Sequence, residues 1–402
     1  MKFKYYISAL LFCIAINGNA DTVQPETTYR RSSLCSFLVS RTDQKMYDRI
    51  QEKYLEIPTP GQYDDHNLSI RIINVDKKAQ YSDSIDSWLA ENLIGSRLVG
   101  KWFDRSNLDG SCSLDLVKQR GLYNASEFDR ELASRSARGM AMLEDAGEEL
   151  IGNTFVLVHE AHYIDNAQRG KNVGTGLSIL GSIGSAFLGS GFSDLMDNFA
   201  SMSESFKGFR VKFHTRLYQL DWTDEAAATF YKDYYSSKPD DSKRDAFDTN
   251  RGKFRLRYIG EVESSGSQNS FLGISEEHPD VMIRKACQRA IDDNVCDLQK
   301  KFEVFRVKSP IGEVDGKNVK VPIGMKEGVN EKSEYEVLEA NEKDGRIVYK
   351  RIGTIVPVKD KIWDNRYMAK EEGALGSDLG STTFAVKSGA TPYPGVLVRQ
   401  IK

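Results

Sequence analysis

The feature that most restricts the fold is a change of texture near Pro310. Between about residue 60 and Pro310, strand-like runs alternate with segments of helical spacing, and beyond it strand follows strand. Strands are predicted at 68–75, 98–103, 154–158, 209–222 and 254–262, where β-branched and aromatic residues cluster. Between them, 84–96 carries Ile85, Leu89, Leu93 and Ile94 on one helical side. Ser126 is suited to cap a helix over 126–147, Thr223 one opening on Asp224 and Glu225, and 281–302 reads as a long helix. After Pro310 strands are predicted at 335–338, 346–358, 382–386 and 396–401, with Asp344-Gly345 as a hairpin turn. The predicted fold class is therefore α+β or α/β. A mixed-sheet layered domain with flanking helices over 61–310 precedes a small all-β barrel or sandwich over 311–402. Residues 21–60 read as a polar N-terminal segment with a short helix near 43–54, stopped by Pro58 and Pro60.

The first twenty residues supply the expected location. Lys2 and Lys4 precede an apolar run ending at Ile16, and a short polar stretch closes on Ala20, the pattern of a secretory signal peptide. Phe12 stands before Cys13 where a lipoprotein signal needs a small residue, so lipid anchoring is not expected. The chain is expected to be periplasmic or associated with the outer membrane of a cell envelope. With 58 acidic against 55 basic residues it is no generally basic nucleic-acid binder. Its mean hydropathy of −0.47 excludes a polytopic membrane protein. Cys35, Cys112, Cys287 and Cys296 remain after the signal, and an exported chain permits two disulfides among them. Cys287 and Cys296 cannot bridge each other along one continuous helix; Cys287 shares a helical face with Ile283, Ala290 and Leu298 and reads as core.

Two segments carry candidate function. His159-Glu160-Ala161-His162 resembles a zinc-peptidase helix, but the histidines are three apart where that motif requires four. If the preceding strand continues through them, they point to opposite sides of a sheet and cannot share an ion. A zinc-dependent hydrolase using His159, Glu160 and His162 is thus the alternative reading, and the only one calling for a cofactor. Gly95 to Gly100-Lys101 lacks the Ser or Thr of a phosphate loop, Asp292 and Asp293 read as a solvated helix face, and Phe230, Tyr231, Tyr234 and Tyr235 read as core. No catalytic pair stands out among the scattered carboxylates.

The second segment is the uncharged run 174–192, in which six residues are glycine. Leu177, Leu180, Ile183 and Phe187 recur at helical spacing beside a stripe of Ser178, Ser182, Ser185 and Gly189, the pattern of close approach in a membrane. The insertion 165–207 that contains it is expected to serve membrane contact or assembly, or else to form a Gly/Ser loop.

The order of these elements, with the Leu98-Val99-Gly100-Lys101-Trp102-Phe103-Asp104-Arg105 segment between two helices and the strands 154–158 and 209–222 after them, resembles the periplasmic α/β domain of curli-secretion lipoproteins. The resemblance covers about residues 65–310 and implies a core that oligomerises, with an inserted segment entering the outer membrane. The Pro322-Ile323-Gly324-Met325-Lys326-Glu327-Gly328-Val329 string resembles the start of small β-domains on related envelope proteins. The expected function is accordingly a non-enzymatic envelope protein acting by self-association, as a homo-oligomer, or by binding an envelope partner. A soluble periplasmic ligand-binding protein is the remaining alternative.

Overall fold

Two sheets organise the chain, joined by one long helix. A computed structural model describes residues 32–401 apart from 42–43, 45, 76–80, 124–140, 165–207, 270–278 and 344–345. In chain order the first part runs β1 (Ser33–Val39), α1 (Tyr47–Leu55), β2 (Asp64–Asp65), β3 (Ile72–Ile73), α2 (Tyr81–Glu91), α3 (Ile94–Trp102), α4 (Asp115–Tyr123) and α5 (Ala141–Gly152). There follow β4 (Thr154–Tyr163), β5 (Gly208–Leu220), α6 (Asp224–Thr229), α7 (Asp241–Thr249), β6 (Leu256–Asn269) and α8 (Pro279–Lys301). The second part comprises β7 (Lys308–Pro310), β8 (Glu313–Asp315), β9 (Asn318–Val321), β10 (Tyr335–Lys343), β11 (Arg346–Pro357), β12 (Thr382–Gly389) and β13 (Leu397–Gln400).

The first sheet has the order β2-β1-β4-β5-β6, with β3 also on β1. β1 and β4 are parallel, whereas β4–β5 and β5–β6 are antiparallel, so the sheet is mixed as expected. Its interior strand β1 falls within 21–60, the stretch expected to be a polar segment. Leu34, Cys35, Phe37, Leu38 and Val39 are all buried, because a strand covered on both faces needs no polar alternation. On one face α1 and α8 pack Tyr54, Ile283, Ala286, Cys287 and Ala290 against Leu38, Ala161, Val211 and Phe213. On the other, Ile85, Leu89, Ile94 and Leu98 of α2 and α3 cover Cys35, Phe37, Val156, Val158 and Tyr218.

The strand expected at 98–103 is instead the helix α3, and 68–75 keeps only the two strand residues of β3. Ile94, Leu98, Val99 and Trp102 recur at helical spacing and are all buried, which outweighs their β-propensity. Leu93 takes a left-handed backbone, φ 53°, and separates α3 from α2, dividing the helix expected over 84–96. Gly95 lies where an added Cβ would come within 2.2 Å of the Phe254 carbonyl oxygen, so this glycine serves helix packing rather than a phosphate loop. Thr223 accepts a hydrogen bond from the Ala226 N–H and caps α6 as expected. The predicted aromatic group packs with Trp102, Phe103, Phe247 and Phe254. The helix expected over 126–147 lies largely outside the described residues; α5 begins at Ala141 and continues to Gly152.

The second sheet, ordered β7-β13-β10-β11-β12-β9-β8, is antiparallel throughout and curls into a half-barrel around Val319, Val321, Val337, Ile355, Phe384 and Val398. β10 and β11 pair up to Lys343↔Arg346, leaving a two-residue connection; Asp344 and Gly345 themselves lie outside the described residues. The fold class is thus the one the sequence predicts.

The join lies on the outer side of α8. Cys296 donates through Sγ to the Lys326 carbonyl at 3.0 Å, and Arg289 donates to the Tyr367 carbonyl and to Glu372 Oε2 at 2.6 Å. Asp292 is buried in this join while Asp293 is exposed, which corrects the expectation that both line a solvated face. All four described cysteines are free and buried, so none of the permitted disulfides forms among them.

Candidate functional site

His159, Glu160 and His162 lie on β4, whose pairing with β5 runs unbroken from Phe155↔Gln219 to Tyr163↔Val211. Alternation along that strand sends His159 to the α8 face and Glu160 and His162 to the other. The structure therefore does not bring the two histidines together, and the metal pair suggested for His159 and His162 does not form.

His159 is a core residue, 1% exposed. Its ring packs edge-on against Tyr54, with centroids 5.8 Å apart, and against Phe213. Nδ1 lies 2.9 Å from Thr215 Oγ1, which accepts from Asn294 Nδ2 at 2.7 Å. The Thr215 hydroxyl thus bridges the imidazole and the Asn294 amide in the core. Burial, helped by the positive charge of Arg71, lowers the His159 pKa to about 3, and the ring is neutral. A neighbouring guanidinium also repels any cation at this imidazole.

Glu160 and His162 belong to a charged strip on the opposite face. Glu160 pairs with Arg41, and His162 Nε2 lies 3.2 Å from Glu160 Oε1. With the Gln44 amide turned so that its nitrogen donates to the Ala161 carbonyl, the amide oxygen faces Arg41 and His162 Nδ1, each at 3.1 Å. On β5, His214 lies opposite Glu160, 3.5 Å from Glu261 Oε1, while Arg216 Nε approaches Glu261 Oε2 at 3.4 Å. Lys212 bonds Glu263 at 2.8 Å. Burial pushes the Glu160 carboxyl upward, but the His162 hydrogen bond and the nearby charges of His162, Arg41 and His214 outweigh it and hold the group below the usual range.

This arrangement keeps Glu160 ionised and occupied. A carboxylate paired with arginine and histidine is a poor general base, and the hydrogen bonds of His162 run to Gln44 and Glu160 rather than to a nucleophile. Burial raises the Cys35 thiol to about 11 and those of Cys287 and Cys296 further, the reverse of what a reactive thiolate needs. Among the described residues no group of three His, Cys, Asp or Glu side chains could hold a metal ion.

Arg41, His214 and Arg71 were not among the residues singled out from sequence. Period-two alternation of Lys212, His214 and Arg216 on β5 is the one sequence signal that points to the strip. Leu177, Leu180, Ile183 and Phe187 lie outside the described residues, and no described helix is long and apolar enough to cross a membrane. No protein-family model matches the chain, and no curated protein matches it significantly.

Proposed function

We propose that this is an exported cell-envelope protein, periplasmic or outer-membrane associated, that works without catalysis by self-association or by binding an envelope partner. The observation that supports this reading is the neighbouring, antiparallel pairing of β4 and β5 up to Tyr163↔Val211. Ile164 and Gly208, the described residues that flank the 165–207 insertion, lie at the same end of these neighbouring strands, an arrangement compatible with an inserted assembly segment. β5–β6 pairing continues to Gly208↔Asn269 at the same end, so three strands run out together toward the insertion.

The α/β part is the associating core in this reading, and the half-barrel is an adaptor. The uncharged run 174–192, with Leu177, Leu180, Ile183 and Phe187, makes the membrane or assembly contact. Deleting 172–195 and measuring liposome binding by flotation, with light scattering in and out of detergent, tests this. Loss of liposome binding or of oligomer mass is expected. Unchanged values in both measurements refute it.

A further inference from the structure

The two sheets end in strands of very different length. The edge strands of the second sheet, β7 and β8, have three residues each, and the β2 and β3 side of the first sheet offers two-residue strands. Edges this short give a passing strand little to pair with. The opposite edge of the first sheet is β6, fourteen residues from Leu256 to Asn269, paired with β5 on one side and with no described strand on the other. Its first half is blunted. The register shifts between Tyr258 and Gly260, leaving Ile259 without an opposite residue, and Lys301 Nζ donates to the Glu261 carbonyl at 3.0 Å. A bulge and a lysine both discourage a further strand. From Glu263 to Ser267 the register with β5 is unbroken and the sequence is Glu-Ser-Ser-Gly-Ser, without proline or lysine.

The ladder fixes which backbone groups of this second half face outward. The Ile164 N–H donates to the Arg210 carbonyl at 2.9 Å, so Arg210 on β5 turns its backbone groups toward β4, and Ser267, its opposite residue on β6, faces away from β5. The Lys301 contact to the Glu261 carbonyl gives the same parity from the other end. Glu263, Ser265 and Ser267 therefore hold their N–H and C=O groups to the open side, where none meets a described backbone partner, and all three residues are exposed. Between them, Ser264 and Gly266 anchor the strand on α8: Ser264 Oγ donates to the Ala290 carbonyl at 2.6 Å, and Gly266 lies close against Ala286. The edge is held in place from behind while its outward donors and acceptors alternate in front.

From this geometry we infer that the Glu263–Ser267 edge is a self-association surface, on which β6 of a second copy of this chain pairs antiparallel about a two-fold axis at Ser265. The inference rests on the self-association reading above and gives it an interface. About that axis Ser265 faces the partner's Ser265, and Glu263 faces the partner's Ser267 on either side. Each pair exchanges both of its backbone bonds, about six across the interface. Charge favours a second copy as the occupant. No acid stands opposite Glu263, and Arg210, next to Ser267 across the ladder, lies one strand behind. Each Glu263 is thus about 10 Å from the partner's Arg210, within reach of two long side chains on one face. Lys212 already bonds Glu263 at 2.8 Å within the chain, so the acid enters the pair neutralised. Because the same edge is used by both copies, association closes at two.

The test is light scattering of the full exported chain over a concentration series, without membranes or detergent. The mass is expected to rise to that of two chains. In Ser265→Pro it should stay that of one chain at every concentration with an unchanged circular-dichroism spectrum, because proline there removes only an outward N–H. Should that variant not fold, Ser265→Cys gives the answer, since the four described cysteines are buried. A short bismaleimide should join two copies through position 265 and not through Lys238→Cys, an exposed position away from the edge. The same measurements on the chain lacking 172–195 separate the edge from the insertion. A dimer that survives the deletion and is lost in Ser265→Pro supports the edge, whatever the deletion does to liposome binding. A dimer lost on deletion but kept by folded Ser265→Pro overturns the edge and leaves the insertion as the associating element. A parent of one-chain mass that still binds liposomes, or equal cross-linking at 265 and 238, also overturns it.

Discussion

Replacing Asp292 by asparagine should remove most of a loss of stability that the parent suffers between pH 4 and pH 7. Asp292 sits on α8 where the helix meets the second sheet, 7% exposed, with Oδ2 buried and, among the described residues, without a hydrogen-bond partner. Burial raises its pKa to about 7, aided by the negative charges of Glu327 and Asp293 and opposed by Lys326 and Arg289. The neighbouring Glu327 differs, because its carboxylate accepts from Gln62 Nε2 at 2.5 Å, from the Gly324 N–H at 2.7 Å and from Asn365 Nδ2 at 2.6 Å. Three donors favour an ionised Glu327 although burial raises its pKa, and Asp292 is the member of the pair that takes the proton. The folded chain therefore holds a proton on Asp292 that the unfolded chain, at about 3.8, has already released. Stability is complete below that lower value, falls as pH rises toward 7, and is flat above. A shift of about three units corresponds to about 4 kcal/mol at most, which water entry at the join would reduce. Urea unfolding at pH 4, pH 5 and pH 8, followed by tryptophan fluorescence and circular dichroism, measures it. Asp292→Asn should match the parent within about 1 kcal/mol near pH 4 and exceed it by about 2 kcal/mol or more at pH 8. A parent and variant that lose equal stability from pH 5 to pH 8 would refute the reasoning.

Arg120 donates to Ser33 Oγ at 2.6 Å, to His66 Nδ1 at 3.2 Å and to the Asp65 carbonyl at 2.9 Å, with its guanidinium 4.5 Å from the Trp102 ring centroid. Arg120→Met should cost about 3 kcal/mol in urea unfolding, since it strands two buried acceptors and one part-buried acceptor and removes a cation–π contact. Gly266 faces α8 so closely that an added Cβ would lie 1.9 Å from the Ala286 carbonyl oxygen. Gly266→Ala should cost about 3 kcal/mol, and the matched change at Gly316, which has open space but a positive φ, about 1 kcal/mol. Zinc added to the purified chain should bind equally to the parent and to His159→Ala, as measured by calorimetry. A stoichiometric site lost in that variant would restore the hydrolase reading.

Where one packing partner decided the pattern, the sequence was legible. β5 alternates because α8 covers Val211, Phe213 and Leu217 while Lys212 and His214 face the other way. The two-residue gap between β10 and β11 follows from turn chemistry alone. Illegible were the elements with two partners. β1 is buried on both faces, so its Ser33-Leu34-Cys35-Ser36-Phe37-Leu38-Val39 run shows no alternation and merges with the polar stretch before it. α8 hides one side against the first sheet and another under the second, and an acid on the second side reads as solvated until that cover is known. The candidate site was legible only in part: the strand through 154–158 already implied that His159 and His162 diverge. Arg41 and Arg71 come from distant segments and carry no spacing signal.

The same helix links the two chemical features of the molecule. Asn294 reaches inward from α8 to Thr215 Oγ1 and the Phe213 carbonyl, and so holds the hydroxyl that His159 Nδ1 bonds. Asp292, two residues earlier and about 200° around the helix, faces the second sheet. Cys296 and Arg289 anchor that outer side to the Lys326 and Tyr367 carbonyls. The inner side is held by Ser264, whose hydroxyl donates to the Ala290 carbonyl at 2.6 Å, and by the close approach of Gly266 to Ala286. Sliding α8 by one residue, about 1.5 Å, would break the Ser264 bond and drive Gly266 against a different backbone atom. The helix position is therefore set by the first sheet, and the half-barrel docks onto a surface already fixed. Protonation at Asp292 then acts on the outer side of α8, where the second sheet is held.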